Sequence, residues 1–218
     1  MTNVQRDFIE LAIRCEALRF GQFTLKSGRI SPYFFNSGLF NTGLVLSSVG
    51  KLYAQRLVAS GIDFDVIFGP AYKGIPFVTA TAVALAEDLD RDVPYSFNRK
   101  EIKAHGEGGQ LVGSPVANKR VVIIDDVMTA GTAVNEAVQI LTAAEAEVVG
   151  IMIALDRQER GQQTTSAVQE VQARYGVPVI SIATFSDILH YMKENQKIDP
   201  AILEAMQTYR DQYGVIAL

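Results

Sequence analysis

The chain has 218 residues, of which 48% are hydrophobic and 20% charged, and this suits one soluble α/β domain, 1–218, with a small subdomain. A formal net charge of −4 argues against a nucleic-acid-binding protein, and the absence of a secretion signal or of about 18 consecutive apolar residues argues against export and a membrane span. Cys15 is the only cysteine, so no internal disulfide can form and we expect a cytoplasmic location.

The N-terminal region predicts a helix followed by a hairpin. Apolar residues recur at helical spacing over 4–18, and Gly21 follows as a stop signal. Two β-rich runs around a Ser-Gly-Arg turn then predict a hairpin over 23–36. We expect residues 1–40 to form a hood over the rest of the domain.

Three residues of this hairpin are candidates for ligand contact. Lys26 places a cation in the first run, and the adjacent aromatics Phe34 and Phe35 should point to opposite faces of the second. A planar ring could stack on one of them. The alternative is that both phenylalanines are buried between the hairpin and the helix.

The next segment predicts a helix over 41–60, a short strand over 65–69 and an irregular loop over 70–76 before a helix over 77–88. Lys73 lies in that loop. A lysine on a glycine-containing loop can bind a diphosphate, and a solvated surface lysine is the alternative.

Basic side chains are densest after the strand predicted over 93–97. Four of them fall within seven positions of the glycine-rich segment 98–112, namely Arg99, Lys100, Lys103 and His105. We expect this segment to be a mobile lid over a diphosphate, because closure excludes water and strengthens charge-assisted contacts. A charged hairpin tip without a ligand is the alternative.

Residues 121–134 carry the most specific pattern. Four β-branched residues, 121–124, predict a strand buried on both faces, as in parallel sheets. Asp125 and Asp126 end the apolar run, and since unpaired carboxylates are unfavourable in a core, we expect them at the strand's carboxyl end, facing a crevice. The small-residue turn 129–132 then opens a helix and suits a phosphate, because its N–H groups can approach an anion closely.

This combination of groups favours a sugar phosphate. The carboxylates would repel a phosphate, so we expect them to contact another part of the same ligand, such as sugar hydroxyls or a metal-bound group. Neither the Walker pattern nor G-x-G-x-x-G occurs, which argues against nucleoside triphosphates and dinucleotides. An ordinary strand-turn-helix joint with solvated acids is the alternative.

The remaining chain predicts alternating helices and strands. Arg157 follows a buried strand, where a guanidinium can bind a planar carboxylate through two parallel hydrogen bonds; a solvated turn arginine is the alternative. The predicted elements are helices over 134–144, 164–175, 186–194 and 200–213, and strands over 148–155 and 178–182. The recurring strand-loop-helix pattern predicts a largely parallel sheet of about five strands with helices on both faces, the hood covering its carboxyl edge.

The stretch 121–134 resembles the 5-phosphoribosyl 1-pyrophosphate (PRPP) motif of the type I phosphoribosyltransferases. In this family the two acids meet the ribose hydroxyls and the Thr-Ala-Gly-Thr turn holds the 5-phosphate. The segment 23–36 resembles the N-terminal signature of the orotate-specific members. The resemblance covers nearly the whole chain and implies transfer of the phosphoribosyl group from PRPP to orotate, giving orotidine 5′-monophosphate and pyrophosphate in de novo pyrimidine (UMP) synthesis.

The resemblance also implies the site residues. PRPP would be bound by Lys26, Tyr72, Lys73, Arg99, Lys100, Lys103, His105, Asp125, Asp126, Val127, Met128, Thr129, Ala130, Gly131, Thr132 and Ala133. Orotate would be bound by Lys26, Phe34, Phe35, Thr129 and Arg157. Catalytic roles would fall on Lys103, His105 and Asp126.

Further implications concern the cofactor and assembly. Mg²⁺ would be held mainly by substrate oxygens and water, with no direct protein ligand. The protein would be a homodimer in which Lys100 reaches the neighbouring active site, and the peptide between Ala71 and Tyr72 would be cis.

Two alternatives are kept. One is a phosphoribosyltransferase for another base, which activity with hypoxanthine, adenine or uracil would identify. The other is a non-catalytic regulator that keeps the fold and binds nucleic acid, against which the acidic composition and the lid cations argue.

Overall fold

The computed structural model describes residues 1–25, 28–103, 109–128, 131–161, 164–195 and 199–215, with the side chains of residues 102, 103 and 109 left out. Within these ranges, every helix is too short or too polar to cross a membrane. The strands are β1 Leu18–Thr24, β2 Ile30–Phe35, β3 Val66–Gly69, β4 Tyr95–Lys103, β5 Gly109–Gly113, β6 Arg120–Val127, β7 Glu147–Asp156 and β8 Val179–Thr184. The helices are α1 Asn3–Arg14, α2 Gly43–Ala59, α3 Gly74–Leu89, α4 Thr132–Ala143, α5 Ala167–Tyr175, α6 Phe185–Glu194 and α7 Pro200–Tyr213.

The central sheet has the strand order β5-β4-β3-β6-β7-β8. Neighbours from β4 to β8 are parallel, and β5 pairs antiparallel with β4 at the edge. The predicted fold class, a largely parallel sheet flanked by helices, is therefore confirmed. The sixth strand, β5, was not predicted, because its short glycine-bounded sequence lies inside the segment expected to be a lid.

Helices cover both faces of this sheet. Along β6, Val122 and Ile124 pack into the core shared with α1, α2, α3 and α6, whereas Val121 and Ile123 pack into the core shared with α4 and α5. All four side chains are fully buried. The uninterrupted β-branched run thus gives a doubly covered strand, as the sequence predicted.

The hood differs from its predicted boundaries. The helix predicted over 4–18 ends four residues early, because Glu16 adopts a positive φ of 60°. Strand β1 then begins at Leu18, so the hairpin predicted over 23–36 starts five residues sooner. Gly21 is not a helix stop but lies within β1, where the strand pairing is irregular.

The boundary predicted after strand 93–97 is also wrong. Strand β4 continues to Lys103 and pairs with β5, for example Asn98 opposite Leu111. Its charged residues did not look like strand, but an edge hairpin tolerates polar side chains because tertiary pairing supplies its hydrogen bonds. Residues 104–108 lie outside the described part of the chain, so the lid over 98–112 stays a prediction.

Helices α2 and α3 approach closely at a glycine. A Cβ added to Gly50 would lie 2.5 Å from the carbonyl oxygen and 2.8 Å from the Cβ of Ala80. The backbone of one helix therefore occupies the space that a side chain would need on the other.

We expect Gly50→Ala to lower the free energy of unfolding by about 1–3 kcal/mol, because α2 and α3 must separate to accept the methyl group. Gly43→Ala in the same helix is the control, since a Cβ there meets nothing within 4 Å; alanine should leave stability unchanged or raise it by up to about 1 kcal/mol. Urea denaturation of both variants tests this, and equal effects would contradict the packing argument.

Candidate active site

The site lies where the carboxyl ends of three strands meet. In the sheet order, β3, β6 and β7 are consecutive parallel neighbours. The loop 70–73 follows β3, the turn ending at Gly131 follows β6, and Arg157 follows β7. Parallel strands thus bring the three predicted polar segments to one edge, the position at which open α/β sheets bind ligands.

The two acids are more deeply placed than expected. Strand β6 continues through both of them, and Asp125 and Asp126 are only 6% and 5% exposed. Their carboxylates accept backbone N–H groups: Asp125 Oδ1 from Asp126 at 2.9 Å, and Asp126 Oδ1 from Val127 at 2.8 Å. The buried Tyr53 hydroxyl donates to the Asp125 carbonyl at 2.7 Å. These bonds partly replace water around the pair.

A cation and a hydroxyl complete the surroundings of Asp126. Lys73 Nζ lies 3.0 Å from Asp126 Oδ2, and the same oxygen accepts a short hydrogen bond from the Ser37 hydroxyl. The Lys73 side chain is 62% exposed, so its ammonium contacts both the buried acid and the open crevice. Lys73, which the sequence suggested for a diphosphate, thus lies directly beside the acids suggested for the ribose.

Burial changes the proton affinity of one acid. Desolvation, followed by repulsion from Asp126, raises the pKa of Asp125 to about 7, while Lys73 acts in the opposite direction. Burial also raises the pKa of the Tyr53 hydroxyl, so it remains a neutral donor.

The loop that carries Lys73 is held tightly. The peptide between Ala71 and Tyr72 is cis, as the resemblance implied, and the Ala71 N–H donates to Asn98 Oδ1 at 2.8 Å. Tyr72 is 65% exposed, and Lys100 Nζ lies 5.4 Å from the centroid of its ring. Two predicted PRPP residues, Tyr72 and Lys100, thus lie together beside the crevice.

Two helices begin at this edge without a side-chain cap. Helix α3 starts after Lys73 and α4 after Gly131, which has a φ of 67°, and neither residue provides a capping hydrogen bond. The other helices are capped by Thr2, Thr42, Ser166, Thr184 and Asp199. The first backbone N–H groups of α4 are therefore suited to bind an anion. At α3, by contrast, the Gly74 and Ile75 N–H groups donate to the Pro70 and Tyr72 carbonyls, and Pro76 has no N–H to offer.

Arg157 lies at the other end of the edge, within a partly buried polar cluster. Its Nε donates to the Tyr33 hydroxyl and to Glu159 Oε1, both at 3.0 Å, and its Nη2 donates to Glu159 Oε1 at 2.8 Å. The side chain is 21% exposed, so the solvated alternative for this arginine is wrong. Desolvation acts to lower the pKa of Arg157, but the neighbouring Tyr33 and Glu159 outweigh it and raise the pKa above its ordinary value, so the guanidinium stays protonated.

The two adjacent phenylalanines face different surroundings. Phe35 packs against the core, with its ring 6.2 Å from that of Phe8. Phe34 instead lies against Phe23, with ring centroids 5.6 Å apart, and beneath the Arg19 guanidinium. The expected division between a core-facing and an outward-facing ring is present.

Several predicted residues lie outside the described part of the chain: Lys26, Thr129, Ala130 and His105, together with the side chain of Lys103. Of the others, Met128 and Gly131 are buried, Val127 and Arg99 half-buried, and Thr132 and Ala133 exposed at the start of α4. Sequence reasoning missed Ser37, Tyr33 and Glu159. Only the polar character of Glu159, two residues after Arg157, was a signal that could have found one of them.

The described residues offer no group of three or more His, Cys, Asp or Glu side chains that could hold a metal ion. Asp126 is already bonded to Lys73 and Ser37. The Asp125 and Asp126 carboxylates and the Ser37 hydroxyl are oxygen donors of the kind that a divalent cation prefers.

The phosphoribosyl transferase domain family matches residues 37–185, a range that includes all three edge segments. The chain belongs to this phosphoribosyltransferase family. Relatives that extend over the whole chain define a narrower group. A curated orotate phosphoribosyltransferase from Erwinia tasmaniensis is 57% identical over 211 residues, which cover 97% of this chain and 98% of the relative.

Solved structures agree with this assignment. The crystal structure of an orotate phosphoribosyltransferase from Francisella tularensis has a TM-score of 0.88 and 44% identity, covering 95% of this chain and 98% of that one. An orotate phosphoribosyltransferase from Mycobacterium tuberculosis, solved in complex with PRPP, has a TM-score of 0.63 and 24% identity, covering 84% of this chain and 98% of that one. The second match supports the fold alone.

We expect Asp125→Asn to stabilise the ligand-free protein more at high pH than at low pH. The folded-state pKa of Asp125 exceeds its ordinary value, so ionisation of this residue destabilises the fold increasingly as pH rises from the usual carboxyl range to about 7. The gain in free energy of unfolding should be about 1–3 kcal/mol larger at pH about 8 than at pH about 5.

Urea denaturation at the two pH values measures this difference. Asp211→Asn, at an exposed position of α7, is the matched control. An equal gain from Asp125→Asn at both pH values would show that its carboxylate is not disfavoured by burial.

Proposed function

We propose that this protein catalyses the transfer of the 5-phosphoribosyl group from PRPP to orotate, giving orotidine 5′-monophosphate and pyrophosphate in pyrimidine synthesis. The observation that carries this function is the buried pair Asp125–Asp126, which lies beside the Lys73 ammonium and the uncapped start of α4. It provides acceptors for sugar hydroxyls and donors for two phosphate groups in one crevice. The names of the full-length relatives support orotate as the acceptor base.

PRPP fits this edge in one orientation. The N–H groups at the start of α4 bind the 5-phosphate, since they are uncapped and exposed. Asp125 and Asp126 accept hydrogen bonds from the ribose hydroxyls. Lys73, at the start of α3, then lies on the side of the diphosphate.

The reaction is a substitution at the anomeric carbon of the ribose. As the bond to pyrophosphate breaks, negative charge grows on the leaving group and positive charge on the sugar. Lys73, Arg99, Lys103 and His105 neutralise the leaving group, and the carboxylate of Asp126 stabilises the sugar. The protein acts mainly by positioning and electrostatic stabilisation.

Movement of Lys73 links binding to this chemistry. In the ligand-free protein its ammonium is paired with Asp126. A diphosphate in the crevice offers a stronger anionic partner, and transfer of Lys73 to it leaves Asp126 free to accept ribose hydroxyls. The side chain is long and exposed enough to make this exchange without a change of backbone.

The base is bound beyond the anomeric carbon, at the hood. Arg157 binds the orotate carboxylate, Phe34 and Phe35 line the ring site, and Lys26 and Thr129 complete it. Orotate is an anion at neutral pH, so its ring nitrogen needs no strong base for activation.

Mg²⁺ and a second subunit belong to the same proposal. The ion, held mainly by PRPP oxygens and water, supplies further neutralisation of the diphosphate when bound. In a homodimer Lys100 reaches the neighbouring site, and its exposed position next to Tyr72 supports this role. The lone cysteine supports a cytoplasmic location.

The direct test is the loss of orotate absorbance after mixing the protein with PRPP and Mg²⁺. We expect consumption that stops when the metal is chelated, and no comparable conversion of hypoxanthine, adenine or uracil. Consumption of another base instead of orotate would assign a different acceptor. Absence of any PRPP cleavage by folded protein would exclude a transferase.

We expect Lys103→Ala to lower kcat by about 100-fold with a much smaller rise in the KM for orotate, because Lys103 neutralises charge that develops in the transition state. Steady-state kinetics with both substrates varied measure the two effects. Lys193→Ala, which removes an exposed cation from α6, is the control. Equal losses in kcat and in orotate affinity would argue against a lid role.

A further inference from the structure

We propose that Tyr33 and Glu159 are positioning residues for the base site, which hold the Arg157 guanidinium so that its outer edge points at the carboxylate of the base. This inference rests on the proposed function, because that function gives Arg157 the base to bind. Neither residue needs to touch the substrate.

The three side chains form a closed hydrogen-bonded triangle. Arg157 Nε donates to the Tyr33 hydroxyl at 3.0 Å, and that hydroxyl donates to Glu159 Oε1 at 2.9 Å. Glu159 Oε1 also accepts from Arg157 Nε at 3.0 Å and from Nη2 at 2.8 Å. The guanidinium is therefore fixed in plane and in rotation, unlike that of a solvated arginine.

The geometry leaves one edge of the guanidinium for a ligand. Glu159 occupies the side edge formed by Nε and Nη2. Arg157 Nη1 has no hydrogen-bond partner among the described residues. The end edge of the guanidinium, formed by Nη1 and Nη2, can therefore present two parallel N–H donors to a ligand. Such an edge matches a planar carboxylate by two parallel bonds.

The Tyr33 hydroxyl is itself held in place because its ring is packed where the hood meets helices α6 and α7. The residue is fully buried, with ring centroids 5.1 Å from Phe185 and 6.2 Å from Tyr209. The Arg157 guanidinium carbon lies 5.3 Å from the centre of the same ring. The Tyr33 ring thus stabilises the guanidinium through a cation–π contact, while its hydroxyl accepts the hydrogen bond from Nε.

Backbone contacts hold the segment that carries Glu159. Arg29, in the hairpin turn, donates to the Arg160 carbonyl at 3.0 Å, and the Arg160 N–H donates to the Tyr213 carbonyl at 2.8 Å. The hood on one side and the end of α7 on the other therefore fix residues 157–160. Arg157 is ordered before the base arrives, so binding does not have to order a long side chain.

The test is a double-mutant cycle between Tyr33→Phe and Arg157→Ala. Tyr33→Phe keeps the ring and removes only the hydroxyl, and it should raise the KM for orotate about five- to tenfold while the KM for PRPP and the melting temperature change little. In the Arg157→Ala background the same substitution should have no further effect on the KM for orotate. Tyr191→Phe, which removes an α6 hydroxyl that accepts a hydrogen bond from the Asn195 side chain, is the matched control.

Substitutions at Glu159 separate orientation from charge. Glu159→Ala should raise the KM for orotate about tenfold, and Glu159→Gln should restore most of the loss because its amide oxygen still accepts from Arg157. If Glu159→Gln behaves like Glu159→Ala, or binds orotate more tightly than the wild type, Glu159 acts on Arg157 through its negative charge and not through its hydrogen bonds. Either result overturns the inference.

The remaining outcomes are distinct. Independent, multiplicative effects of Tyr33→Phe and Arg157→Ala, or equal rises in KM for both substrates, overturn the positioning role while leaving the proposed function intact. Failure of the wild-type protein to consume orotate overturns the proposed function, and this inference with it.

Discussion

The burial of two adjacent carboxylates in strand β6 is the constraint on which the site depends. Asp125 and Asp126 are almost inaccessible, and one acid raises the pKa of the other in addition to the effect of burial. The fold accommodates them by bringing Lys73 from the neighbouring loop and Ser37 from the turn that follows the hairpin of the hood to the same carboxylate oxygen. Three distant parts of the chain are thereby fixed around one side chain.

The sequence was sufficient to predict the parts of the site that interrupt regular patterns. Each of these patterns is visible within a few neighbouring residues: a β-branched run followed by two acids, a lysine in an irregular loop, and an arginine after an apolar strand. These patterns placed Lys73, Asp126 and Arg157 correctly at the carboxyl edge, because parallel strands bring their ends together. The resemblance of 23–36 to one branch of the family then identified the base.

Residues that act through long-range contacts could not be predicted in this way. Ser37 meets Asp126 across 89 positions, and Tyr33 meets Glu159 across 126. A serine in a short turn and a tyrosine among aromatics have the same local appearance whether or not they support a site. The ends of α1 and β4 were wrong for a related reason, since a positive φ at Glu16 and the pairing of β4 with β5 are set by tertiary structure.

Because the hydroxyl that orients Arg157 belongs to a fully buried tyrosine, the choice of acceptor base depends on the core between the hood and helices α6 and α7, and not only on the side chains that line the crevice. Exchanging only the side chains that line the crevice would leave the hydrogen-bonded triangle of Tyr33, Arg157 and Glu159 in place. Arg157 would then still be oriented toward a carboxylate that the new base lacks. Redesign toward an uncharged heterocycle therefore requires repacking Tyr33 together with Phe185 and Tyr209. Conversely, an arginine introduced at this position of a related protein that lacks the Tyr33, Phe185 and Tyr209 cluster would be free to turn toward solvent.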